Sequence, residues 1–186
     1  MRIISGNFKG KKIYLPKDRE TRPLRDLVKE SIFNLIEHSK KFNCNLENSN
    51  VLDIFSGVGS FGLECISRNA NKVIFMENYK EALFVLKKNI QSLKVRNKYE
   101  IIEEDCFKFF NSQKNFEEKF DLVFIDPPYR EKKINLIIDI IKKKEILCKD
   151  GILIIHRHKK DDVIITNKLN ILDQRNYGIS KIIIGN

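Results

Sequence analysis

Two rhythms of apolar residues run through this chain. From residue 51 onward, short unbroken apolar runs at 51–55, 72–76, 100–103, 122–125 and 152–155 alternate with stretches of helical spacing. The helical stretches are 60–69, 80–94, a short one near 106–110, and 133–144; in the second, Ala82, Leu83, Leu86, Ile90 and Leu93 share one face. Strands that are apolar on both faces and separated by helices predict a parallel sheet covered by helices on each side. The end of the chain breaks this rhythm. Residues 169–173 and 179–184 flank Asn176-Tyr177-Gly178, which reads as an antiparallel hairpin.

The first 48 residues follow a different pattern. Residues 2–5 and 12–15 read as two short strands joined through Gly6 and Gly10, a β-hairpin. Pro16 stops the second strand, and Pro23 precedes a helix over 24–39 with Leu24, Leu27, Val28, Ile32, Leu35 and Ile36 at helical spacing. Residues 40–49 are polar and Asn-rich, a connector. The expected fold class is α/β: a parallel sheet with a C-terminal antiparallel hairpin, plus an N-terminal β-hairpin and helix extension. The expected division is residues 1–48 as the extension, packed on the main domain, and 49–186 as that domain. No internal repeat or low-complexity linker is evident.

Charge sharpens this division. The chain of 186 residues carries 35 Lys and Arg against 25 Asp and Glu, a formal charge of +10. Residues 1–41 alone hold eleven basic residues against five acidic ones, so the excess is concentrated in the extension. Such a field attracts polyanions, and the asymmetry favours a binding surface over a merely biased composition. The four cysteines, Cys44, Cys65, Cys106 and Cys148, form no CxxC pair, which argues against a zinc site or a disulfide framework and for a reducing compartment. The opening Arg2-Ile3-Ile4-Ser5-Gly6 lacks the apolar core of a signal peptide, and no apolar run is long enough to span a bilayer. A cytoplasmic protein with no membrane partner is expected.

Two segments carry chemistry. The first, Val51-Leu52-Asp53-Ile54-Phe55-Ser56-Gly57-Val58-Gly59-Ser60-Phe61-Gly62, is strand, glycine turn and helix, with Gly57, Gly59 and Gly62 at G-x-G-x-x-G spacing. Glycines there permit a sharp turn and let a ligand lie against the backbone. Glu77 closes the second strand, where a carboxylate can accept both hydroxyls of a ribose. The motif alone fits a dinucleotide as well as S-adenosylmethionine. Asp53 favours the latter: a carboxylate at the end of strand one can meet the cationic amino group of a methionine moiety, but would repel a pyrophosphate. Asp105 closes strand three and can accept from an adenine amino group or cap the helix that follows.

The second segment is Asp126-Pro127-Pro128-Tyr129, directly after the apolar strand 122–125 and therefore at the same end of the sheet. An exocyclic amino nitrogen on a nucleic-acid base is a poor nucleophile because its lone pair is shared with the ring. The Asp126 carboxylate and the Pro127 carbonyl could accept its two N–H bonds and aim that lone pair at a methyl group. The prolines direct the backbone with little entropy left to lose, and Tyr129 can stack on the base. A paired or stacked base would have to be turned outward to reach such a pocket.

With these residues in view, the chain resembles the methyltransferases that carry an Asn/Asp-Pro-Pro-Tyr/Phe motif. More closely, it resembles the RsmD-type bacterial 16S rRNA (guanine-N2)-methyltransferases. The resemblance runs through Arg2-Ile3-Ile4-Ser5-Gly6, Lys9-Gly10-Lys11-Lys12, Thr21-Arg22-Pro23, Glu30-Ser31-Ile32-Phe33-Asn34, the glycine turn, and Phe120-Asp121-Leu122-Val123-Phe124-Ile125 with the tetrad, to Tyr177-Gly178. It implies a Rossmann-like class I methyltransferase sheet and methyl transfer to guanine N2 of small-subunit rRNA. S-adenosylmethionine would be the donor and S-adenosylhomocysteine the product. It implies Asp126, Pro127, Pro128 and Tyr129 as catalytic. The donor-binding set is expected to be Asp53, Phe55, Ser56, Gly57, Gly59, Glu77, Asp105 and Cys106. Thr21, Arg22, Pro23 and Arg25 are expected at the substrate, with arginines available to phosphates. Small-subunit rRNA or an assembling ribosomal subunit is the expected partner, no metal is expected, and the protein is expected to be a monomer. Three positions depart from the family pattern: Leu24 replaces a hydroxyl residue, Asn69 a glycine, and His156 an acid.

Three rivals remain open on the residues alone. The tetrad serves adenine N6 of DNA or RNA as well as guanine. A nicotinamide-dependent oxidoreductase would use the glycine turn but leaves the tetrad without a role. A catalytically silent RNA-binding module would not need Asp126. His156 and His158, two apart on a strand end, lack a third ligand for a metal. Lys142-Lys143-Lys144 reads as a solvated helix end that suits the helix dipole.

Overall fold

Each apolar strand of the sheet divides its side chains between two cores, because successive residues point to opposite faces. The computed structural model describes residues 1–18, 24–112, 114–128, 130–161 and 168–186. Its strands are β1 (Asn50–Ile54), β2 (Lys72–Met76), β3 (Tyr99–Ile102), β4 (Phe120–Ile125), β5 (Leu147–His158), β6 (Ile171–Tyr177) and β7 (Ser180–Gly185). Its helices are α1 (Asp26–His38), α2 (Ser60–Ser67), α3 (Lys80–Leu93), α4 (Cys106–Asn111) and α5 (Ile134–Lys143). Val51, Val73, Phe75, Leu122, Phe124, Ile152 and Ile154 pack under α1, α2 and α3. Leu52, Ile54, Ile74, Met76, Val123, Ile125, Leu153 and Ile155 pack under α4 and α5.

The seven strands are ordered β3-β2-β1-β4-β5-β7-β6. The first five are parallel; β7 runs antiparallel between β5 and β6. The expected terminal hairpin is therefore present, with its second strand inserted next to β5. Its loop is the pair Gly178-Ile179, with Gly178 at φ +59°. The order reverses at β1 and β4, so the carboxyl ends of these two strands open a crevice, the usual ligand site of such sheets.

Three local expectations are corrected. Strand β5 extends to His158, beyond the apolar run 152–155, because pairing with β7 continues through His156↔Ile182 and His158↔Ser180. Leu27 is 70% exposed, while Lys29 and Phe33 are fully buried: the core face of α1 follows Val28, Ile32 and Ile36, and Leu27 lies off it. The N-terminal hairpin is shorter than expected: around the bridge Arg2↔Lys12 and a 3-10 turn at Gly6–Phe8, its backbone bonds run from the Ile3 N–H to the Lys11 carbonyl at 2.9 Å, from the Gly10 N–H to the Ile3 carbonyl at 2.8 Å and from the Ile13 N–H to the Met1 carbonyl at 3.1 Å, and the pairing stops there. The backbone N–H groups of Ile4 and Ser5 donate instead to the two carboxylate oxygens of Glu64 on α2, at 2.7 and 2.9 Å. The Phe8 N–H donates to Ser67 Oγ at 2.9 Å.

Glu64 is the hub of this attachment. It is fully buried and also meets Lys29 Nζ at 3.5 Å and Arg68 Nε at 3.1 Å. Lys29 Nζ in turn donates to the Arg2 carbonyl at 2.8 Å. A Cβ on Gly6 would lie 1.9 Å from the Ser67 carbonyl oxygen, so only glycine allows this close approach. Asn69, where the family pattern has glycine, adopts φ +69° and accepts a hydrogen bond from Asn7 Nδ2 at 2.7 Å. Leu24, a second of the three departures, is buried in the core beneath α1.

Candidate active site

The glycine turn between β1 and α2 is built from both backbone and side-chain constraints. Gly57 and Gly59 hold φ of +55° and +81°, and Phe55 is also left-handed at +61°. Gly62 serves a different purpose: a Cβ there would lie 2.3 Å from the Phe75 ring, so its absence lets α2 settle onto β2. Phe61, beside it, stacks on Phe124 at a centroid distance of 3.9 Å and on Phe33 at 5.0 Å, tying α2 to β4 and α1. Ser56 fastens the ends of β1 and β2 by donating from its N–H and Oγ to the Met76 carbonyl, at 3.0 and 3.2 Å.

Three carboxylates converge on this turn. Asp53, at 1% exposure, accepts from the Gly62 N–H at 3.0 Å and so caps the first turn of α2, whose own N-cap is the glycine Gly59. Its other oxygen, Oδ1, has no hydrogen-bond partner among the described residues. Burial pushes its pKa well above the usual carboxylate value, and the nearby charges of Asp126 and Glu77 push it further. Glu77 accepts from the Gly57 N–H at 2.7 Å and from the N–H groups of Asn78 and Tyr79 at 2.9 and 2.8 Å. A carboxylate offers about four acceptor positions, so roughly one is left for a ligand hydroxyl.

The β3 end contributes Asp105 and Cys106. Asp105 caps α4, with Oδ1 accepting from the Lys108 N–H at 3.1 Å, while Oδ2 accepts from Asn78 Nδ2 at 3.2 Å. Both readings of Asp105 stay compatible, since the cap leaves it beside the β2 end. Cys106 is buried, which raises its thiol to about 12 and keeps it protonated. The half-buried Phe55 ring meets Phe107 edge-on, with centroids 6.4 Å apart.

Across the crevice, Asp126 leaves β4 with its N–H donating to the Ile54 carbonyl at 3.3 Å. Pro127 is buried and Pro128 exposed. The Pro128 carbonyl accepts from the Glu131 N–H at 2.9 Å. The arrangement puts a carboxylate and a proline-directed backbone at the end of β4, beside the glycine turn and the carboxylates at the ends of β1 and β2. Asp53, with the charges of Asp126 and Glu77 near it, suits a cationic ligand and opposes a pyrophosphate, since like charges at close range in a partly buried site repel strongly. That tells against the oxidoreductase reading.

A sequence profile of the family described as Conserved hypothetical protein 95 matches residues 1–186. The ribosomal RNA small subunit methyltransferase D of Haemophilus influenzae is 32% identical over 181 residues, covering 96% of this chain and 90% of that protein. The protein of the same name from Buchnera aphidicola of Acyrthosiphon pisum is 34% identical, covering 88% of this chain and 81% of its own length. The chain belongs to the ribosomal RNA small subunit methyltransferase D family. The solved structure of a candidate methylase from Haemophilus influenzae has a TM-score of 0.77 and 30% identity, covering 99% of this chain and 96% of that one.

For this family member, the structure gathers Asp53, Phe55, Ser56, Gly57, Gly59, Glu77, Asp105, Cys106, Asp126, Pro127 and Pro128 at the carboxyl ends of β1–β4. Arg25 is exposed and stands as the N-cap of α1. Tyr129, Thr21, Arg22 and Pro23 lie outside the described residues. The residues are not confined to local motifs. His156 Nδ1 lies 2.7 Å from Asp126 Oδ1, and its Nε2 lies 2.9 Å from Ser180 Oγ. Arg157, at 1% exposure, donates to the Pro128 and Glu131 carbonyls at 3.5 and 2.9 Å and pairs with Asp161. Asn89 on α3 donates to the Val58 and Tyr14 carbonyls at 3.0 and 3.1 Å, joining the glycine turn to the N-terminal extension. A His-Arg pair ending an apolar strand was the only sequence signal for the first two of these; Asn89 gave none.

The two histidines that could have shared a metal do different things. While His156 meets Asp126, His158 accepts from the Lys160 N–H at 3.1 Å. At the end of α5, Lys144 is tied to the Lys114 carbonyl at 3.3 Å and to Asn115 Oδ1 at 3.0 Å.

Proposed function

We propose that this protein transfers a methyl group from S-adenosylmethionine to the exocyclic N2 of a guanine in 16S ribosomal RNA. The observation that carries the reading is the placement of Asp126, after β4, across from Asp53 and Glu77 at the ends of β1 and β2. It is supported by membership of a family whose named members are rRNA small subunit methyltransferases.

The residues fit the donor. The unpartnered, buried Asp53 Oδ1 suits an ammonium group, and the crowding of three carboxylates is relieved by a cation. Glu77 retains room for a ribose hydroxyl, and the Phe55 and Phe107 rings offer an aromatic wall. When bound, the donor supplies an electrophilic methyl on a sulfonium. Asp126 and the Pro127 carbonyl would accept the two N–H bonds of the guanine amino group and direct its lone pair at that methyl. The donor would supply the methyl with its sulfur as the leaving group, and Asp126 and solvent would take up the proton that the nitrogen loses. Tyr129 would stack on the base. Residues 1–48 form the RNA-contacting extension in this reading, with Thr21, Arg22, Pro23 and Arg25 at the phosphates, and 49–186 the transferase domain. No helix among the described residues is long and apolar enough to cross a membrane. We assign a monomer acting in the cytoplasm on rRNA or an assembling subunit.

The test is methylation with labelled donor of naked 16S rRNA, of assembling subunits and of DNA, followed by nucleoside analysis. N2-methylguanosine from either RNA substrate supports the proposal. N6-methyladenine, or label appearing only in DNA, overturns it.

A further inference from the structure

We infer that His156 is a positioning residue for methyl transfer: through its Nδ1–H it holds one oxygen of Asp126 and leaves the other to receive the amino group of the base. The inference rests on the role assigned to Asp126 above and adds a residue that the local motifs do not contain. His156 sits on β5 and Ser180 opens β7, the strand inserted beside it. The imidazole bridges the two, with Nδ1 2.7 Å from Asp126 Oδ1 and Nε2 2.9 Å from Ser180 Oγ. Both His156 and Ser180 are buried, at 7% and 4% exposure, so water competes little for either bond.

The chemistry of the partners selects the tautomer. A carboxylate can only accept, so the nitrogen facing Asp126 carries the proton. The other nitrogen then accepts from the Ser180 hydroxyl, which can donate or accept by rotating. A side chain that leaves a strand end has two torsions free, and an Asp in that state would present either oxygen in many directions. With Oδ1 held by a ring that is itself fixed by Ser180, the carboxylate plane is set and Oδ2 is the oxygen left for the base. Arg157, the next residue along β5 and on the opposite face, fixes the Pro128 and Glu131 carbonyls. Adjacent residues of one strand thus brace the tetrad, one through its carboxylate and one through its backbone.

The test has two arms. In the first, single-turnover transfer is measured with His156→Phe, which keeps the ring and loses both nitrogens, and with His156→Asn, whose amide can replace the Nδ1 donor. Misplacing a reacting group by about 1 Å costs roughly 100-fold, so His156→Phe is expected to slow transfer by about 10- to 100-fold. KM for donor and RNA should each stay within about threefold, and His156→Asn should recover most of the rate. Parent-like transfer by His156→Phe, or equal losses in the two variants, overturns the inference. The second arm needs no variant to fold. The chain has three histidines, and in protein labelled with nitrogen-15 at histidine the His156 ring should carry its proton on Nδ1 at pH 8. A proton on Nε2 instead overturns the inference. Asp126→Ala, run alongside, separates the failures: an active Asp126→Ala removes the reading of the site, whereas an inactive one beside a fully active His156→Phe removes only the role of His156.

Discussion

The two sides of the crevice are built differently. On the donor side, β1, the glycine turn and the end of β2 make a pocket from residues close in sequence. Its carboxylates are bound to backbone N–H groups: Asp53 to Gly62, Glu77 to Gly57, Asn78 and Tyr79. On the acceptor side, Asp126 and the backbone that follows it are held by side chains from β5: His156, itself bonded to Ser180 of β7, reaches Asp126, and Arg157 reaches the Pro128 and Glu131 carbonyls. Backbone amides give a rigid, pre-set donor pocket. Side-chain contacts across strands place a single carboxylate and can be tuned one residue at a time.

The largest expected effect comes from removing that carboxylate. Asp126→Ala should lower single-turnover transfer by about a thousandfold or more, in the range lost with a general base or positioning group, as read by labelled-methyl incorporation. Near-parent transfer would break the comparison at once, since the acceptor side would then have no essential group.

Next is Glu64, which serves neither side and anchors the extension. Glu64→Ala leaves Lys29 buried without its main partner and frees the Ile4 and Ser5 N–H groups. A stability loss of about 3–5 kcal/mol in urea unfolding is expected, as for other broken buried ion pairs. A loss under about 1 kcal/mol would mean that water reaches the cluster.

On the donor side, Asp53→Asn should trade binding for stability. The folded protein holds this carboxyl's pKa above its unfolded value, so charging it opposes folding. Its contribution to stability is present below the unfolded pKa and is lost as pH rises through the raised folded value. Asp53→Asn removes that penalty, and its apo protein should melt higher than the parent by more at pH 8 than at pH 5. A gain of about 1 kcal/mol corresponds to roughly 2–4 °C in a chain of this size. Donor affinity should fall by about tenfold or more, the equivalent of roughly 1.4 kcal/mol. A variant that gains stability and keeps its affinity would remove Asp53 from the donor site. The smallest effect is at Arg25, which is exposed. Arg25→Ala should weaken RNA binding only a few-fold and reduce the salt slope by about one.

This division also explains what could be read from sequence. The donor side was legible because its information is local: Gly57, Gly59 and Gly62 answer to backbone angles and a near ring, and Glu77 lies 20 residues from Gly57, one strand over. The tetrad was legible for the same reason. Its support was not, because His156 is 30 residues from Asp126 and 24 from Ser180: the pairing of β4 with β5 brings the first two together, and the insertion of β7 beside β5 brings Ser180 to His156. The same reason applies to the N-terminal hairpin. Residues 2–5 have strand-like composition, but pairing with the second strand ends at Ile3, and the next two N–H groups, of Ile4 and Ser5, go to the buried Glu64, 60 and 59 residues away. Leu27 was misplaced for a simpler reason: helical spacing alone allowed a stripe wide enough to include it, whereas the face that packs follows Val28, Ile32 and Ile36 and takes in the buried Lys29.

The claim that the crevice divides its labour is tested most directly by titrating S-adenosylmethionine calorimetrically into Asp126→Ala. The account predicts a donor affinity within about threefold of the parent, because the donor pocket is built from β1 and β2 without the tetrad. An Asp126→Ala protein that no longer binds the donor would contradict it, since the two sides would then be one site.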